Sequence, residues 1–455
     1  MPSTGAKVPE TDLEVGMGFY LSETPGLTGR IKATAEEFRV REISSYPSPD
    51  PAGAFAVLRV TSENWEQHEL GAAIARRLGL APHAIQWSGT KDRRAIADRL
   101  LSYRGPLPTE DLGLPRVEVR EAYRARDGLV LGHHYGNAFE IRISELEVPS
   151  ETARERVRAT ENDLRAKGGF PNFFGHQRFG EVRPITHEVG RAVVRGDLAG
   201  AVELYLTAIP KGTEPGVGDA ARRAYAEHRD AARALREFPT EYRFERTLLE
   251  HLARGHPPDR AFRALSRDLR LLFVHAYQAL LFNRWVSRRA AAGVPLGLPE
   301  PGDAILRIGR DGTVRSQEAV PVSADNLPEC AESVARGRAL LGGPLVGYET
   351  PVAPGPAAET LDGLLREEGI ERAQFRLPAT PELASRGAYR PVLWPVPPLG
   401  LTPDPTGLWV RFALPKGAYA TVVLREILKD GTARTRSVAG RAEPSNTPVP
   451  ASFAR

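Results

Sequence analysis

The stretch that organises this chain is IQWSGTKDRRAIADRL, residues 85–100. Its apolar start predicts a short strand, which Ser88 and Gly89 end at a loop. Asp92 follows in that loop, between Lys91 and two arginines. Cations close to a carboxylate favour its ionised form, which suits a nucleophile better than a general acid. An exposed cluster of surface charges would have the same composition, so these residues alone leave both interpretations open.

The segments before this loop predict a strand–helix–strand unit. Residues 55–60 are apolar on both faces and predict a central strand, and residues 29–43 predict two short strands around a turn. A helix through residues 68–80 places apolar side chains four positions apart on one face, and Gly79 ends it. The unit would deliver Asp92 at the end of a strand, in the kind of loop that carries binding and catalytic residues.

Later segments predict a change from strands to helices and back. Residues 102–135 are rich in proline and glycine and predict loops, whereas the alternation in residues 137–143 predicts a strand. Residues 185–292 have a helical pattern, and residues 294–391 return to short strands. A final strand and helix follow, and residues 431–455 have no periodicity and are expected to be disordered.

Residues 170–180, FPNFFGHQRFG, place four phenylalanines among glycines together with His176, Gln177 and Arg178. Aromatic rings interleaved with hydrogen-bonding and cationic side chains are typical of a site for single-stranded nucleic acid. They are equally typical of a small aromatic core beneath a loop. The sequence favours neither interpretation over the other.

Length and composition limit the class of protein. A chain of 455 residues is long enough for two or three domains. Its single cysteine, Cys330, excludes an intramolecular disulfide and a multi-cysteine metal cage, and it fits a reducing cytoplasm. The N-terminus lacks the apolar core of a signal peptide, and no apolar run approaches the length of a membrane span. We therefore expect a cytoplasmic protein without a membrane partner.

Several common catalytic motifs are absent from the sequence. It has neither GxxxxGK[ST] nor GxGxxG, so nucleotide hydrolysis and Rossmann-type cofactors lose support. HExxH and GxSxG are also absent, and we expect no cofactor and no metal. What remains is a carboxylate among cations, with basic and aromatic loops, which fits a cofactor-independent reaction on an anionic substrate.

The ordered motifs resemble those of the tRNA pseudouridine synthase D (TruD) family in its archaeal form. GTKDRRA (89–95) resembles the family signature GxKDxxA. The other matching segments are GRIKATAEEFRVREI (29–43), GNAF (136–139), NFFGHQRFG (172–180), AYQALLFN (276–283), GPLVG (343–347) and LPKGAYATVVLRE (414–426). Several motifs in the same order are a specific signal, whereas each one alone would be weak.

The resemblance implies an α+β fold. A pseudouridine-synthase-like catalytic domain, built on a mixed and largely antiparallel sheet, would comprise residues 27–171 and 392–430. An inserted α/β TRUD domain would occupy residues 172–391, and the two domains would enclose a cleft for RNA. Residues 1–26 would form an N-terminal extension, and residues 431–455 would form the disordered tail.

The resemblance also implies a reaction and a partner. A tRNA pseudouridine synthase isomerises a specific uridine, usually uridine 13 in the D-arm region of tRNA. It breaks the N-glycosidic bond, turns the base and rejoins it through carbon. Asp92 aligns with the family's nucleophile, and attack at the sugar and attack at the ring both stay open. The partner would be tRNA, no metal or cofactor is implied, and a monomer is favoured.

Four further positions would contact the substrate. The target nucleotide must be flipped out of its stack, which calls for aromatic contacts. Phe38 and Tyr419 align with aromatic positions of the family, and Asn137 aligns with an asparagine that reads the uracil edge. Phe139 would pack beside Asn137, and a simple core position explains it equally well.

Lysine is scarce in this chain, so the positions at which it occurs are informative. Only seven of the 61 basic residues are lysines, and three of them, Lys32, Lys91 and Lys416, lie in motif loops. A compact ammonium close to Asp92 would explain that choice. The resemblance implies that Lys32 pairs with Asp92, and Lys91 is expected to support it. The surplus of arginine permits RNA binding, although a high-GC coding sequence would also produce it.

The chain departs from the family pattern at a few positions. Glu37 stands where aspartate is common, Lys416 and Ala418 flank Gly417, and Tyr419 replaces a common phenylalanine. None of these changes affects the aspartate. The alternatives are a non-catalytic RNA-binding or chaperone protein on the same scaffold and, less well supported, a carboxylate-dependent hydrolase of small sugars.

Overall fold

The computed structural model describes residues 6–180, 183–210, 216, 218–310 and 312–429. Its strands are β1 (Phe38–Ile43), β2 (Phe55–Glu63), β3 (Gln86–Trp87), β4 (Ile96–Arg104), β5 (Val117–Ala125), β6 (Gly136–Ser144), β7 (Phe170–Pro171), β8 (Ala304–Arg307), β9 (Val320–Pro321), β10 (Ala339–Leu345), β11 (Ala388–Pro391), β12 (Leu393–Trp394), β13 (Gly400–Asp404) and β14 (Gly407–Pro415). Its helices are α1 (Glu10–Glu14), α2 (Gln67–Arg77), α3 (Ser150–Ala166), α4 (Thr186–Val194), α5 (Leu198–Thr207), α6 (Asp219–His228), α7 (Ala231–Glu237), α8 (Arg243–Ala253), α9 (Pro258–Ala264), α10 (Arg267–Ala291), α11 (Leu327–Ala335), α12 (Pro356–Glu368) and α13 (Ala420–Leu428). The predicted disordered tail, residues 431–455, lies outside the described residues.

The main sheet has the strand order β13-β14-β6-β1-β4-β2-β5, and the short β3 pairs with β4. β1 and β4 are parallel, and the other neighbouring strands of this sheet are antiparallel. A second sheet, β11-β10-β8-β9, and the pair β12-β7 are antiparallel. The predicted α+β class with a mixed, largely antiparallel sheet is confirmed.

The register between β1 and β6 decides which face of the main sheet carries the candidate site. Phe38, Val40 and Glu42 are buried and alternate with exposed side chains. The positions of β6 that face them are, in the same order, Ile141, Phe139 and Asn137. Because side chains directly opposite each other in an antiparallel pair lie on one face, these six residues lie on the same face of the main sheet. We call them the site row.

Three strands of the main sheet, β4, β5 and β13, were not predicted from the sequence. β5 lies inside the stretch that proline and glycine content predicts as loop. It is the edge strand, its residues are mostly exposed or half-buried, and its pairing with β2 is shifted by a bulge beside Arg59. Val117 and Val119 pack on one core cluster and Tyr123 and Ala125 on another, on either side of the bulge, so the apolar residues show no clean alternation.

One further expectation is corrected in detail and another is confirmed. Residues 29–43 contain one strand rather than two, because Arg30 makes only an isolated bridge to Ser144 before β1 begins. β2 was expected to be a central strand, and it does have a neighbour on each side, β4 and the edge strand β5. Its apolar residues are still buried because α2 packs Leu70 and Ile74 into the same cluster.

The order of sheets along the chain bears on the proposed domains. The main sheet takes its strands from residues 38–144 and 400–415, and the second sheet takes its strands from residues 304–391. Helices α4 to α10 lie between them in sequence. We keep the domain boundaries, residues 27–171 with 392–430 around residues 172–391, as a proposal.

The N-terminal segment packs against α13 and the turn that carries His176. Asp12 is buried, and its carboxylate accepts hydrogen bonds from His176 Nε2 at 2.7 Å and from Arg425 Nε at 2.5 Å. Arg425 also donates to the carbonyl oxygens of Met17 and Phe19. These bonds hold the N-terminal segment on the elements that bear the candidate site.

This buried carboxylate makes stability depend on pH. Burial raises the pKa of Asp12, but the hydrogen bond from His176 and the charge of Arg425 outweigh burial and hold the pKa below its ordinary 3.8. A lowered carboxyl pKa contributes stability above the unfolded-state pKa, and that contribution is lost as pH falls through the folded-state pKa. We expect Asp12→Asn to lower the free energy of unfolding at pH 7 by about 1.5–3 kcal/mol.

The measurement is urea unfolding of both proteins at pH 7 and at pH 3. The gap between wild type and Asp12→Asn should shrink at pH 3, because the carboxyl is then largely protonated in the unfolded state and less of the stability from its lowered pKa remains. A gap that is the same at both pH values would show that the charge of Asp12 does not contribute.

Candidate active site

Asp92 lies in the loop between β3 and β4 and is held by two donors. Its Oδ2 accepts a hydrogen bond from Lys32 Nζ at 3.1 Å, and its Oδ1 accepts one from Gln177 Nε2 at 2.6 Å. The side chain of Asp92 is still 25 % exposed. The carboxylate therefore has a fixed orientation and an open approach.

Lys32 is placed by its backbone and by a neighbouring ring. Its φ is +56°, in the left-handed region that few non-glycine residues adopt. Its side chain is buried, and its ammonium lies 4.2 Å from the centre of the Phe38 ring. Arg94 donates to the carbonyl oxygen of Ala33 at 2.5 Å, which ties the Lys32 segment to the Asp92 loop. Arg94, which had no predicted role beyond its charge, thus has a defined contact.

The aromatic side chains of the site form one layer on the main sheet. Phe38 and Phe139 meet edge to face with ring centres 6.2 Å apart, and Phe139 lies 5.6 Å from Phe412. Phe38 is only 1 % exposed, whereas Phe139 is half-buried. Of the two predicted contact residues, Phe139 has the more accessible ring.

Asn137 stands at the start of β6 with an unused acceptor. It is half-buried, and it lies between Glu42 of β1 and Leu414 of β14 in the register. Its Oδ1 is buried and has no hydrogen-bond partner among the described residues. A buried acceptor without a partner carries a desolvation cost, which a ligand that donates a hydrogen bond would remove.

Lys91, which is predicted to support Asp92, forms its ion pair with Glu42, and the charge of Asp92 also acts on its ammonium. Its ammonium donates to Glu42 Oε2 at 2.8 Å, and both side chains are buried. Burial lowers the pKa of the Lys91 ammonium, and the Glu42 carboxylate acts in the opposite direction. The pair anchors the Asp92 loop to β1, because burial of an ammonium requires a charged partner.

The loop of residues 170–180 resolves the open choice about its phenylalanines. All four are buried, which matches the aromatic core rather than a platform for bases: Phe170, Phe173, Phe174 and Phe179. The residue that reaches the site is Gln177, whose amide holds Asp92. Gln177 was not among the predicted site residues because the rings dominated the motif, and the available signal was an uncharged donor between His176 and Arg178.

Tyr419 immediately precedes α13 and packs on that same loop. Its half-buried ring lies 6.2 Å from Phe174, edge to face. A Cβ on Gly175 would lie 3.2 Å from the Tyr419 ring and 3.0 Å from Thr421 Oγ1, so a glycine suits this close approach. Tyr419 is therefore linked to Asp92 through the loop that also supplies Gln177.

Within the described ranges, no helix combines the length and apolar character that a membrane span requires. The described side chains likewise contain no group of three histidine, cysteine, aspartate or glutamate residues arranged to hold a metal ion.

Sequence comparison places this architecture among known proteins. The family model described as tRNA pseudouridine synthase D (TruD) matches residues 14–427. A probable tRNA pseudouridine synthase D of Halobacterium salinarum is 38 % identical over 91 % of this chain and 96 % of its own length. Proteins with the same description from Thermococcus onnurineus and Methanosarcina mazei are 37 % and 33 % identical, and each alignment covers at least 90 % of both chains.

Structural comparison agrees with the sequence comparison. The crystal structure of the putative tRNA pseudouridine synthase D from Methanosarcina mazei superposes with a TM-score of 0.79 at 32 % identity. The alignment covers 94 % of this chain and 100 % of that structure. With its motifs, its mixed sheet and its matched length taken together, this chain belongs to the tRNA pseudouridine synthase D (TruD) family.

Proposed function

We propose that this protein converts uridine 13 in the D-arm region of tRNA to pseudouridine, with Asp92 as the nucleophile. The observation that carries the proposal is the geometry of Asp92, whose two carboxylate oxygens are bonded to Lys32 and Gln177 while the side chain stays partly exposed. Both donors hold the carboxylate in position for attack on the substrate. Family membership supports the reaction class, and a tRNA substrate fits a cytoplasmic location.

The reaction is an isomerisation, so it needs no co-reactant. Asp92 forms a bond to the flipped nucleotide, the N-glycosidic bond breaks, and the base turns so that a carbon replaces the nitrogen at the sugar. The bond to Asp92 then breaks, which regenerates the carboxylate. The proton on that carbon leaves, and the ring nitrogen gains one. We leave attack at the sugar and attack at the ring as two routes, because the same carboxylate position serves both.

The other predicted residues have roles that fit their surroundings. The half-buried ring of Phe139, supported from below by Phe38, would pack against the flipped base. The unpartnered Oδ1 of Asn137 would accept the N3–H of uracil, and a base without that donor would leave the acceptor unpaired. Tyr419, which packs on the loop that carries Gln177, would contact the flipped base from the side opposite Phe139.

A direct assay tests the proposal. Purified protein is incubated with an unmodified tRNA transcript in buffer without added cofactor, and pseudouridine is mapped along the RNA. We expect modification at position 13. Binding of tRNA without pseudouridine would favour the RNA-binding or chaperone alternative. Turnover of free glycosides without binding of tRNA would favour the sugar hydrolase.

Gln177 provides a second test of the site. We expect Gln177→Ala to lower kcat by roughly 10- to 100-fold with a small effect on KM, because a hydrogen bond to a charged group contributes about 1.5–3 kcal/mol. Single-turnover rates on saturating tRNA measure the change. Gln374→Ala is a matched control, since the Gln374 side chain bonds the backbone of Glu371 far from this site in sequence. A Gln177→Ala rate equal to that of the control would remove Gln177 from the site.

A further inference from the structure

The surface next to Asn137 is unusually apolar for this protein. Among the described residues, six large apolar side chains are exposed, and four of them lie at the end of β1 or in the loop of residues 130–135: Ile43, Val130, Leu131 and Tyr135. Tyr135 N donates to the carbonyl oxygen of Ile43, so the end of β1 and the loop of residues 130–135 are joined. We call these four residues the rim patch. Exposed apolar clusters commonly mark a binding surface.

The loop of the rim patch is fastened to the candidate active site. Gly132 N donates to the carbonyl oxygen of Ser88 at 2.7 Å, just before the Asp92 loop. The His134 ring packs so closely on Gly89 that a Cβ there would lie 2.7 Å from the ring. Lys416, three residues before Tyr419, donates from Nζ to the carbonyl oxygen of Gly132 at 2.7 Å. The patch is therefore continuous with the site.

The chemistry of the rim patch suits a nucleobase. The Tyr135 side chain is 50 % exposed, and its hydroxyl accepts a hydrogen bond from Ser45 Oγ at 3.3 Å, which limits its movement. Tyr46, which follows β1, and His133, in the loop of residues 130–135, meet edge to face with ring centres 5.8 Å apart. Exposed Lys416 adds a cation at the border. Exposed rings beside a cation are the features that bind unpaired nucleotides.

We propose that the rim patch stacks an unpaired base of the RNA next to the flipped uridine, with the Tyr135 ring as the main platform. This inference rests on the proposed function, because the occupant is the neighbour of the uridine that Asp92 attacks. A second copy of the chain is the less favoured occupant. The four apolar side chains of the rim patch are separated by His133 and Lys416. They are too few for a stable protein–protein interface, which buries roughly 1,200 Å² or more.

The test compares tRNA binding by variants of the full-length protein. We expect Tyr135→Ala to raise Kd and KM about tenfold, since loss of one stacked base commonly costs that much, while kcat at saturation changes less than twofold. Tyr135→Phe should behave as wild type because it keeps the ring. Leu298→Ala is the matched control, because Leu298 is equally exposed, at 54 %, and lies outside the patch. The salt dependence of Kd should be unchanged, because no phosphate contact is lost.

A change in the RNA identifies the occupant. A tRNA with abasic nucleotides on both sides of the target should bind wild type and Tyr135→Ala equally well. The inference is overturned if Tyr135→Ala binds intact tRNA as tightly as Leu298→Ala does, or if the tenfold difference persists on the abasic tRNA. It is also overturned if sedimentation shows that wild type self-associates and that Tyr135→Ala does not.

The two proposals fail in different ways. If wild type forms no pseudouridine but Tyr135→Ala still loses affinity for intact tRNA, the proposed reaction is wrong and the base platform stands. If pseudouridine forms normally and all variants bind tRNA alike, the platform is wrong and the reaction stands.

Discussion

Asp92→Asn should reduce pseudouridine formation by at least about a thousandfold, since removal of a nucleophile commonly costs that much or more. Asparagine has nearly the same shape as aspartate, so it keeps an oxygen for Lys32 or Gln177 while it loses the charge that attacks. The affinity for tRNA should stay within about threefold, because binding depends mainly on contacts to phosphates and bases elsewhere. Single-turnover assays give the rate, and filter binding gives Kd.

Asp98→Asn is the matched control for this substitution. Asp98 lies on β4, six residues after Asp92, with a similar side-chain exposure of 22 %, and it pairs with Arg59 at 2.6 Å. It lies on the opposite face of β4 from Ala97, which is in register with Val40 of the site row. We expect nearly wild-type rates from it. A folded Asp92→Asn protein with rates close to those of Asp98→Asn would exclude Asp92 as the nucleophile.

The fold was predictable where local pattern and tertiary environment agree. The alternation in β6 marks a strand with one buried face, and the structure has it at Gly136–Ser144. The long helix α10 begins after Ser266, whose Oγ accepts from Leu269 N, as N-cap chemistry predicts. β5 was missed because it is an edge strand, with solvent on one side and a bulged pairing with β2 on the other.

One contact of the candidate site was predicted from the resemblance, and another was not. Asp92 and Lys32 meet as the resemblance implies, at 3.1 Å. Nothing local in the sequence shows that Gln177 would be the second donor, because it comes from a segment 85 positions away. A contact between distant segments is a property of the assembled fold, and only a motif shared with relatives can hint at it.

The contact between Lys91 and Glu42 is a second one that could not be predicted from the sequence. The position of Lys91 next to Asp92 in sequence predicts that it supports that residue, and the charge of Asp92 acts on its ammonium. The hydrogen bond of the ammonium, however, goes to Glu42 on β1, which is buried in the row that continues to Asn137. The sequence marks Glu42 only as one position in an alternating strand, so the partner could not be read from it.

Because this pair is buried, removal of one member should have a large effect on stability. The side chains of Lys91 and Glu42 are 1 % and 0 % exposed. We expect Lys91→Met to lower the free energy of unfolding by about 3–5 kcal/mol, because the substitution leaves an uncompensated buried carboxylate. The rate of pseudouridine formation should fall as well, since the loop that carries Asp92 loses its anchor on β1. Urea unfolding and single-turnover assays measure the two effects.

Two control variants separate the effect of burial from the effect of charge on stability. Glu118→Gln breaks the exposed pair with Arg120, whose side chains are 59 % and 53 % exposed, and should cost less than about 1 kcal/mol. The double variant Glu42→Leu with Lys91→Met removes both buried charges, so it should be more stable than Lys91→Met alone. If Lys91→Met unfolds at the same urea concentration as Glu118→Gln, the pair does not anchor the loop. The orientation of Asp92 would then depend on Lys32 and Gln177 alone.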